Sequence, residues 1–237
     1  MAKLGINIDH VATLRQARRE FDPDPIQAAR ICEETGCDSI VAHLREDRRH
    51  INDRDIKNLK KSIWTRFNME MSLSPAIVRM ACSIKPDQAT IVPERRQEIT
   101  TEGGLNVVAQ SSRIKKVMQR LEGQGIQVSL FIAPNVAQIK KANELGIKMI
   151  ELHTGEYALA RSQTQTHREL KKLKAMTRLA LGLGMTVNAG HGLNYQNTKA
   201  VANIEGMEEL NIGHSIVSRA VFVGLKQAVQ EMLKLIR

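Results

Sequence analysis

The amino-acid sequence predicts an α/β fold of the (β/α)8 TIM barrel type with extra helical elements, and three observations lead there. Short apolar or β-branched runs alternate eight times with longer segments of helical periodicity, the pattern of parallel strands joined by crossover helices. Helical segments are closed by glycine at Gly36, Gly125, Gly146 and Gly184 and opened at Pro25, Pro75 and Ser215. Finally, the 237 residues, 42% of them hydrophobic, show no composition shift or Pro/Ser-rich linker, so 1–237 is expected to form a single barrel domain.

In chain order, the first strand is expected at Lys3–Ile8, running into Asp9-His10. Val11–Asp24 is longer than a barrel connection needs and contains a basic helical stretch, Ala12–Arg19, an element added to the eightfold plan. Then come helix Pro25–Thr35, strand Ser39–Ala42, helix Asp53–Trp64, strand Arg66–Met71, helix Pro75–Lys85 and strand Gln88–Val92. Pro93–Ala109 is polar, holds Gly103-Gly104 and has no period, the character of a long loop that serves as a lid. Helix Gln110–Gly123 follows, then strand Gln127–Ile132, helix Val136–Leu145, strand Lys148–Leu152 and helix His167–Leu183. Strand Thr186–Asn188, helix Gln196–Ala202, strand Glu209–Ile212 and a last helix from Ser215 to the C-terminus complete the series. The competing doubly wound sheet would carry GxGxxG after its first strand, and none stands there.

Charge and composition narrow the partners. A net charge of +10 calls for anions, either nucleic acid or small phosphorylated molecules. Aromatic residues make up only 3%, with Trp64 the one tryptophan, so stacking platforms for single strands are lacking, and no nucleic-acid motif occurs. Lys57, Lys60 and Lys61, and Lys171, Lys172 and Lys174, read as solvated helix faces. A basic RNA-binding protein is the alternative from another class; small phosphorylated substrates, with neither nucleic acid nor membrane, are expected. No apolar run approaches the ~20 residues of a membrane span, and Asp9, His10 and Arg15 come too early for a secretory signal. Cys32, Cys37 and Cys82 form no CxxC pair, which fits a reducing, cytoplasmic setting.

Active sites of such barrels are built at the C-terminal ends of the strands. There the sequence places Asn7, Asp9 and His10, then His43 and Arg45, Glu70, Glu151 and His153, and finally the related motifs NAGHG (188 to 192) and NIGHS (211 to 215). Six of the seven histidines stand at or just past a strand end, His167 being the exception. Scattered histidines would rarely line up this way, so a basic, proton-transferring pocket is expected. Glu70 interrupts the otherwise largely apolar FNMEM, where an inward carboxylate needs a partner or a task, and Glu151 in MIELHTG poses the same question. Structural pairing of Glu70 with Arg66 or Arg45 is the plainer reading. Gly192, Gly213 and the amide of His214, with Ser215 as N-cap, suit a phosphate at a helix N-terminus, and Arg18, Arg45 and His50 suit a second anion. No HxxxH or HExxH argues for a metal centre, and no strand ends in an inward lysine for Schiff-base chemistry, Lys148 standing at the wrong end.

Long ordered motifs run through the whole chain: NIDHVATLRQAR (7 to 18), HLREDRRHI (43 to 51), NMEM (68 to 71), VPERRQEITTEGG (92 to 104), QVSLFI (127 to 132), ELHTGEYA (151 to 158), NAGHGLNY (188 to 195) and ELNIGHSIVSRAV (209 to 221). On them the chain closely resembles the pyridoxine 5′-phosphate synthase family of vitamin B6 biosynthesis. The resemblance implies condensation of 1-deoxy-D-xylulose 5-phosphate with 3-amino-2-oxopropyl phosphate to pyridoxine 5′-phosphate, phosphate and water, without metal or organic cofactor. It implies general bases at His43 and Glu70, a proton donor at His191 and a transition-state stabiliser at Glu151. Asp9, His10, Arg45, His50 and Thr100 would hold the deoxyxylulose phosphate, and Asn7, Arg18, Gly192, Gly213 and His214 the aminoketone phosphate. It further implies a homo-octamer and a loop at Thr100–Gly104 that closes over the substrates. Another phosphosugar isomerase or lyase on the same barrel is the competing enzyme. The chain departs from the family pattern at Ala133, Asn135, Gln196 and Asn106, none of them a transferred catalytic residue.

Overall fold

Parallel strands β1 (Lys3–Asn7), β2 (Ser39–Leu44), β3 (Arg66–Met71), β4 (Gln88–Ile91), β5 (Gln127–Ile132), β6 (Met149–His153), β7 (Thr186–Gly190) and β8 (Met207–Ile212) close in chain order into one barrel. The computed structural model describes residues 1–100 and 103–237, so Thr101 and Glu102 of the expected lid lie outside the described residues. Around the strands run α1 (Asp9–Arg18), α2 (Pro25–Thr35), α3 (Asp53–Ser62), α4 (Pro75–Ile84), α5 (Val107–Glu122), α6 (Val136–Glu144), α7 (Gly155–Ala158), α8 (Gln163–Gly182), α9 (Thr198–Ala202), α10 (His214–Val223) and α11 (Leu225–Ile236). The (β/α)8 expectation holds, with α1, α7 and α11 as additions. Among the described residues, no helix is long and apolar enough to cross a membrane.

Caps explain where the elements begin and where the sequence reading slipped. Asp24 accepts from the Ile26 amide and Pro25 opens α2, while Gly36, at φ 98°, ends it. Asn106 starts α5 by accepting from the Ala109 amide at 3.1 Å, and Asn135 starts α6 by accepting from Ala137 at 2.9 Å. At these departures from the family pattern, an amide oxygen does the work of a carboxylate cap. α5 therefore begins earlier than expected, and the preceding segment holds a 3-10 turn at Arg96–Glu98 and a bridge between Ile99 and Leu105. The last helix is two helices, broken at Gly224, whose φ is 82°. Nor does Ser215 cap α10. Gly213 occupies that position, and the Ser215 hydroxyl donates instead to the Leu193 carbonyl at 2.8 Å, tying the first turn of α10 to the segment after β7.

Alternation along each strand separates two environments. Phe67, Met69 and Met71 of β3, like Ile40, Ala42 and Leu44 of β2, are fully buried and join the main apolar core. The other face is polar. Ser39 donates to Glu209, Thr90 donates to Asn68, Gln88 donates to Thr90, and Arg66 pairs with Glu209. A barrel interior is ordinarily filled by branched apolar side chains. Here Asn68 Nδ2, Gln88 Oε1, Ser129 Oγ, Asn188 Oδ1, Glu209 Oε1 and Asn211 Oδ1 are buried without a protein hydrogen-bond partner. The polar lumen leads up into the strand ends that carry the candidate site.

The added helix α1 is fastened across the barrel mouth by charge. Arg15 makes a bidentate bond to Asp55 at 2.7 and 2.8 Å and donates to the His50 carbonyl. Asp55 also closes the capping box of α3 with Asn52. One buried carboxylate thus fixes both a helix start and the seat of α1.

Candidate active site

Strand register brings the proton-transfer groups together. β2 extends beyond the expected end to Leu44, so His43 lies within the strand and is paired in register with Glu70 of β3. The His43 Nδ1 to Glu70 Oε2 distance is 4.0 Å. Across the barrel, Glu151 is in register with Phe131 on one side and Asn188 on the other, and accepts from the Asn211 amide at 2.7 Å. His191 follows β7 with φ at 78°, uncommon for a side chain larger than glycine. Its ring lies 4.9 Å from that of His153, which packs edge-on against Phe131.

His43, Glu70, Glu151 and His191 line a cavity of about 650 Å³ at the C-terminal rim together with Asn7, Asp9, His10, Arg45, Gly192, Gly213 and His214, whereas His153 stands beside His191 and does not line it. That volume suits small-molecule ligands, whose sites span about 300–1,000 Å³. Arg18 is not at the cavity; it is exposed at the C-terminus of α1 and pairs with Glu20. His50 and Thr100 do not line it either. The His50 ring stands 6.1 Å from that of His43, and its Nδ1 accepts from the Ile51 amide. Thr100 donates to the Gly103 carbonyl at 2.6 Å, within its own loop.

Burial sets the proton affinities. The Glu70 carboxyl is held well above the usual carboxylate range by burial, then by the nearby charges of Glu151 and Asp9. Glu151 is also raised, by burial first, with the Asn211 hydrogen bond opposing and Glu209 adding to the shift. Burial lowers His191, and lowers His10 with help from His214. Carboxylates pushed up and imidazoles pushed down bring acid and base strengths closer together, a condition for moving protons near neutral pH.

The rim also offers an anion seat. α10 starts at His214, and Gly213, His214 and Ser215 line the cavity, so the first amides of the helix, which have no intrahelical partner, stand at the cavity wall. Gly213 permits the close turn, since a Cβ there would lie 2.8 Å from the Asn7 carbonyl oxygen. As for cations, donor atoms of Asp9, His43 and Glu70 lie within 4.8 Å of one another and could hold a metal ion. Asp9 already accepts from the His43 amide at 2.8 Å and from the Asn7 side chain at 2.9 Å.

The model of the family described as pyridoxal phosphate biosynthesis protein PdxJ matches residues 4–237. The chain belongs to the PdxJ family. A pyridoxine 5′-phosphate synthase from Synechococcus sp. is 56% identical over 98% of this chain and 97% of its own length. One from Geotalea uraniireducens is 54% identical over 100% of this chain and 99% of its own. Two solved barrels share the fold at low sequence identity. Thiamine phosphate pyrophosphorylase from Pyrococcus furiosus superposes with a TM-score of 0.65 at 14% identity, covering 99% of this chain and 95% of that one. Phosphoribosyl anthranilate isomerase from Thermus thermophilus gives 0.63 at 11%, covering 98% and 97%. Such likeness concerns the fold alone.

Beside the PdxJ family motifs, the structure adds residues to which the sequence assigned no role. Glu94, just past β4, meets His43 Nε2 at 3.1 Å. Its place after a strand end is the signal that could have singled it out. Glu46, Asp47, Arg48 and Arg49 hold the β2 loop: Glu46 accepts from Ser72 and Arg95, Asp47 pairs with Arg45 and Arg49, and Arg48 with Asp53.

Proposed function

We propose that this chain, as a single barrel domain, condenses 1-deoxy-D-xylulose 5-phosphate with 3-amino-2-oxopropyl phosphate, closing the pyridine ring of pyridoxine 5′-phosphate with release of phosphate and water. The observation that carries the reading is the convergence, in a PdxJ-family chain, of His43, Glu70, Glu151 and His191 on one cavity beneath a helix N-terminus. The amine attacks the sugar ketone and water leaves as the imine forms. Loss of phosphate, addition and loss of water, and an aldol-type carbon–carbon closure complete the ring. Every step moves a proton beside a carbonyl or imine.

In this reading Glu70, its proton affinity raised by burial, and His43 take protons from carbon and nitrogen. His191, whose charged form burial destabilises and so makes a readier proton donor, gives its proton up to a leaving oxygen. Glu151, held by Asn211, faces positive charge that develops on the imine. Asp9, His10, Arg45, His50 and Thr100 serve the deoxyxylulose phosphate; Asn7, Gly192, Gly213, His214 and Arg18 serve the aminoketone phosphate. For His50, Thr100 and Arg18, which do not line the cavity, this requires approach upon binding or assembly. The proposal places the protein in the cytoplasm, consistent with free Cys32, Cys37 and Cys82. It also makes it a homo-octamer, supported by the exposed apolar Leu14, Val221 and Phe222 around a groove between α1, α2 and α10.

Purified protein given both substrates is expected to release phosphate and form the fluorescent pyridinol, and omission of the aminoketone phosphate to abolish both. A folded protein that yields no product would overturn the reading. Chelator-treated protein should keep its rate; loss of rate restored by a divalent ion would assign Asp9, His43 and Glu70 to a metal instead.

A further inference from the structure

We propose that Glu94 is the positioning residue for His43, fixing the imidazole tautomer so that Nδ1 presents its lone pair toward Glu70 and the cavity. The proposal rests on the reading of His43 as a general base. His43 has two ring nitrogens with different neighbours: Nε2 meets Glu94 Oε1 at 3.1 Å, and Nδ1 lies 4.0 Å from Glu70 Oε2. A carboxylate accepts and does not donate, so Nε2 must carry the hydrogen in that contact. The neutral ring then has its basic nitrogen at Nδ1. When Nδ1 takes a proton, the new positive charge sits against the Glu94 carboxylate in a largely buried site, where such an interaction is strong.

Glu94 is built for holding rather than for reacting. Its side chain is almost fully buried and is absent from the cavity lining, where its neighbours Val92 and Pro93 stand. Its second oxygen accepts from the Glu46 amide at 2.9 Å and lies 3.9 Å from Arg45. Its own amide and that of Arg95 donate to Glu98, a buried residue tied in turn to Arg113 of α5. Burial works against ionisation of Glu94, but the hydrogen bonds from His43 and the Glu46 amide outweigh it and keep the carboxyl below its ordinary range. The base is thereby linked to the seating of the segment after β4: wherever that segment shifts, the partner of Nε2 shifts with it.

Glu94→Gln keeps the size and one oxygen but removes the charge. Its kcat should fall roughly a hundredfold, with KM for the sugar phosphate little changed and the unfolding temperature near that of the wild type. The acid limb of the pH–rate profile should move to lower pH, because an imidazole without its anionic partner is a weaker base. Glu94→Asp should recover part of the rate. In a His43→Ala background the Glu94→Gln change should cost almost nothing further, since its effect passes through the ring. Nitrogen NMR of the wild-type protein should place the neutral His43 hydrogen on Nε2. An Nδ1–H tautomer, an unmoved acid limb, or an undiminished cost in the His43→Ala background would each overturn the proposal. If His43→Ala itself kept full turnover, the reading of His43 as a base would fall. If His43→Ala were inactive and Glu94→Gln fully active, the assignment of Glu94 alone would fall.

Discussion

His191 occupies a left-handed backbone conformation, φ 78°, at the end of β7. Such a conformation costs on the order of 1–3 kcal/mol for a non-glycine residue and is retained where geometry serves function. Glycine relieves that strain, while its looser unfolded chain gives back ~0.4–1 kcal/mol. His191→Gly should therefore unfold within a few degrees of the wild type and yet lose turnover by about 10²–10⁴-fold. Full activity in this variant would remove His191 from the proposed chemistry. Glu151 allows a test by pH. Its folded proton affinity is raised above the ordinary 4.5, so the folded state keeps a proton that the unfolded chain releases, and stability is lost as pH rises from that value through the folded one. Glu151→Gln lacks this loss. Denaturant titrations should show the variant gaining on the wild type between about pH 5 and about pH 8, and a constant difference would mean that Glu151 is not raised.

At the scale of the element, α1 presents Asp9 and His10 to the cavity from its first turn and carries Arg18 at its last. Its anchor is the buried Arg15–Asp55 pair, and removing one member of such a pair leaves an uncompensated charge, typically a loss of about 3–5 kcal/mol. Arg15→Ala should lower the denaturant midpoint accordingly and raise KM for the phosphorylated substrates. Adding Asp55→Asn should recover part of the stability by removing the stranded charge, although the capping box would be weakened. A loss below about 1 kcal/mol, the value of an exposed ion pair, would show that α1 is held by its apolar contacts instead.

For the whole molecule, the groove lined by Leu14, Ala28, Val217 and Val221 has exposed apolar neighbours, Phe222 among them, and shares no lining residue with the cavity of Glu70 and Glu151. Apolar surface of this kind commonly marks association between chains. Val221→Glu would place a charge in that contact. Light scattering should then find a species smaller than the proposed octamer, and an unchanged mass would put the assembly on another face. Exposed Arg18 provides a second readout: if assembly brings it to a phosphate, the smaller species should also bind the aminoketone phosphate more weakly.

Much of this was readable in the chain. Period and punctuation identify the eight strands, because a strand packed beneath helices keeps an apolar outer face and a helix commonly stops where glycine takes a positive φ, as at Gly36. Strand-end positions picked out His43, Glu70, Glu151 and His191, since a barrel exposes its chemistry there. Short local features escaped. α7 is only four residues long, too short to show a period, and the true cap of α10 is set by a Leu193 carbonyl that competes for the Ser215 hydroxyl. Only the tertiary structure decided the pairings: His43 beside Glu94, Glu151 beside Asn211, Arg15 beside Asp55, and the polar lumen of Ser39, Asn68 and Glu209. Residue type and strand position follow from local rules of sterics and burial, whereas the partner of a buried polar atom depends on register and barrel closure, which bring together residues distant in the chain.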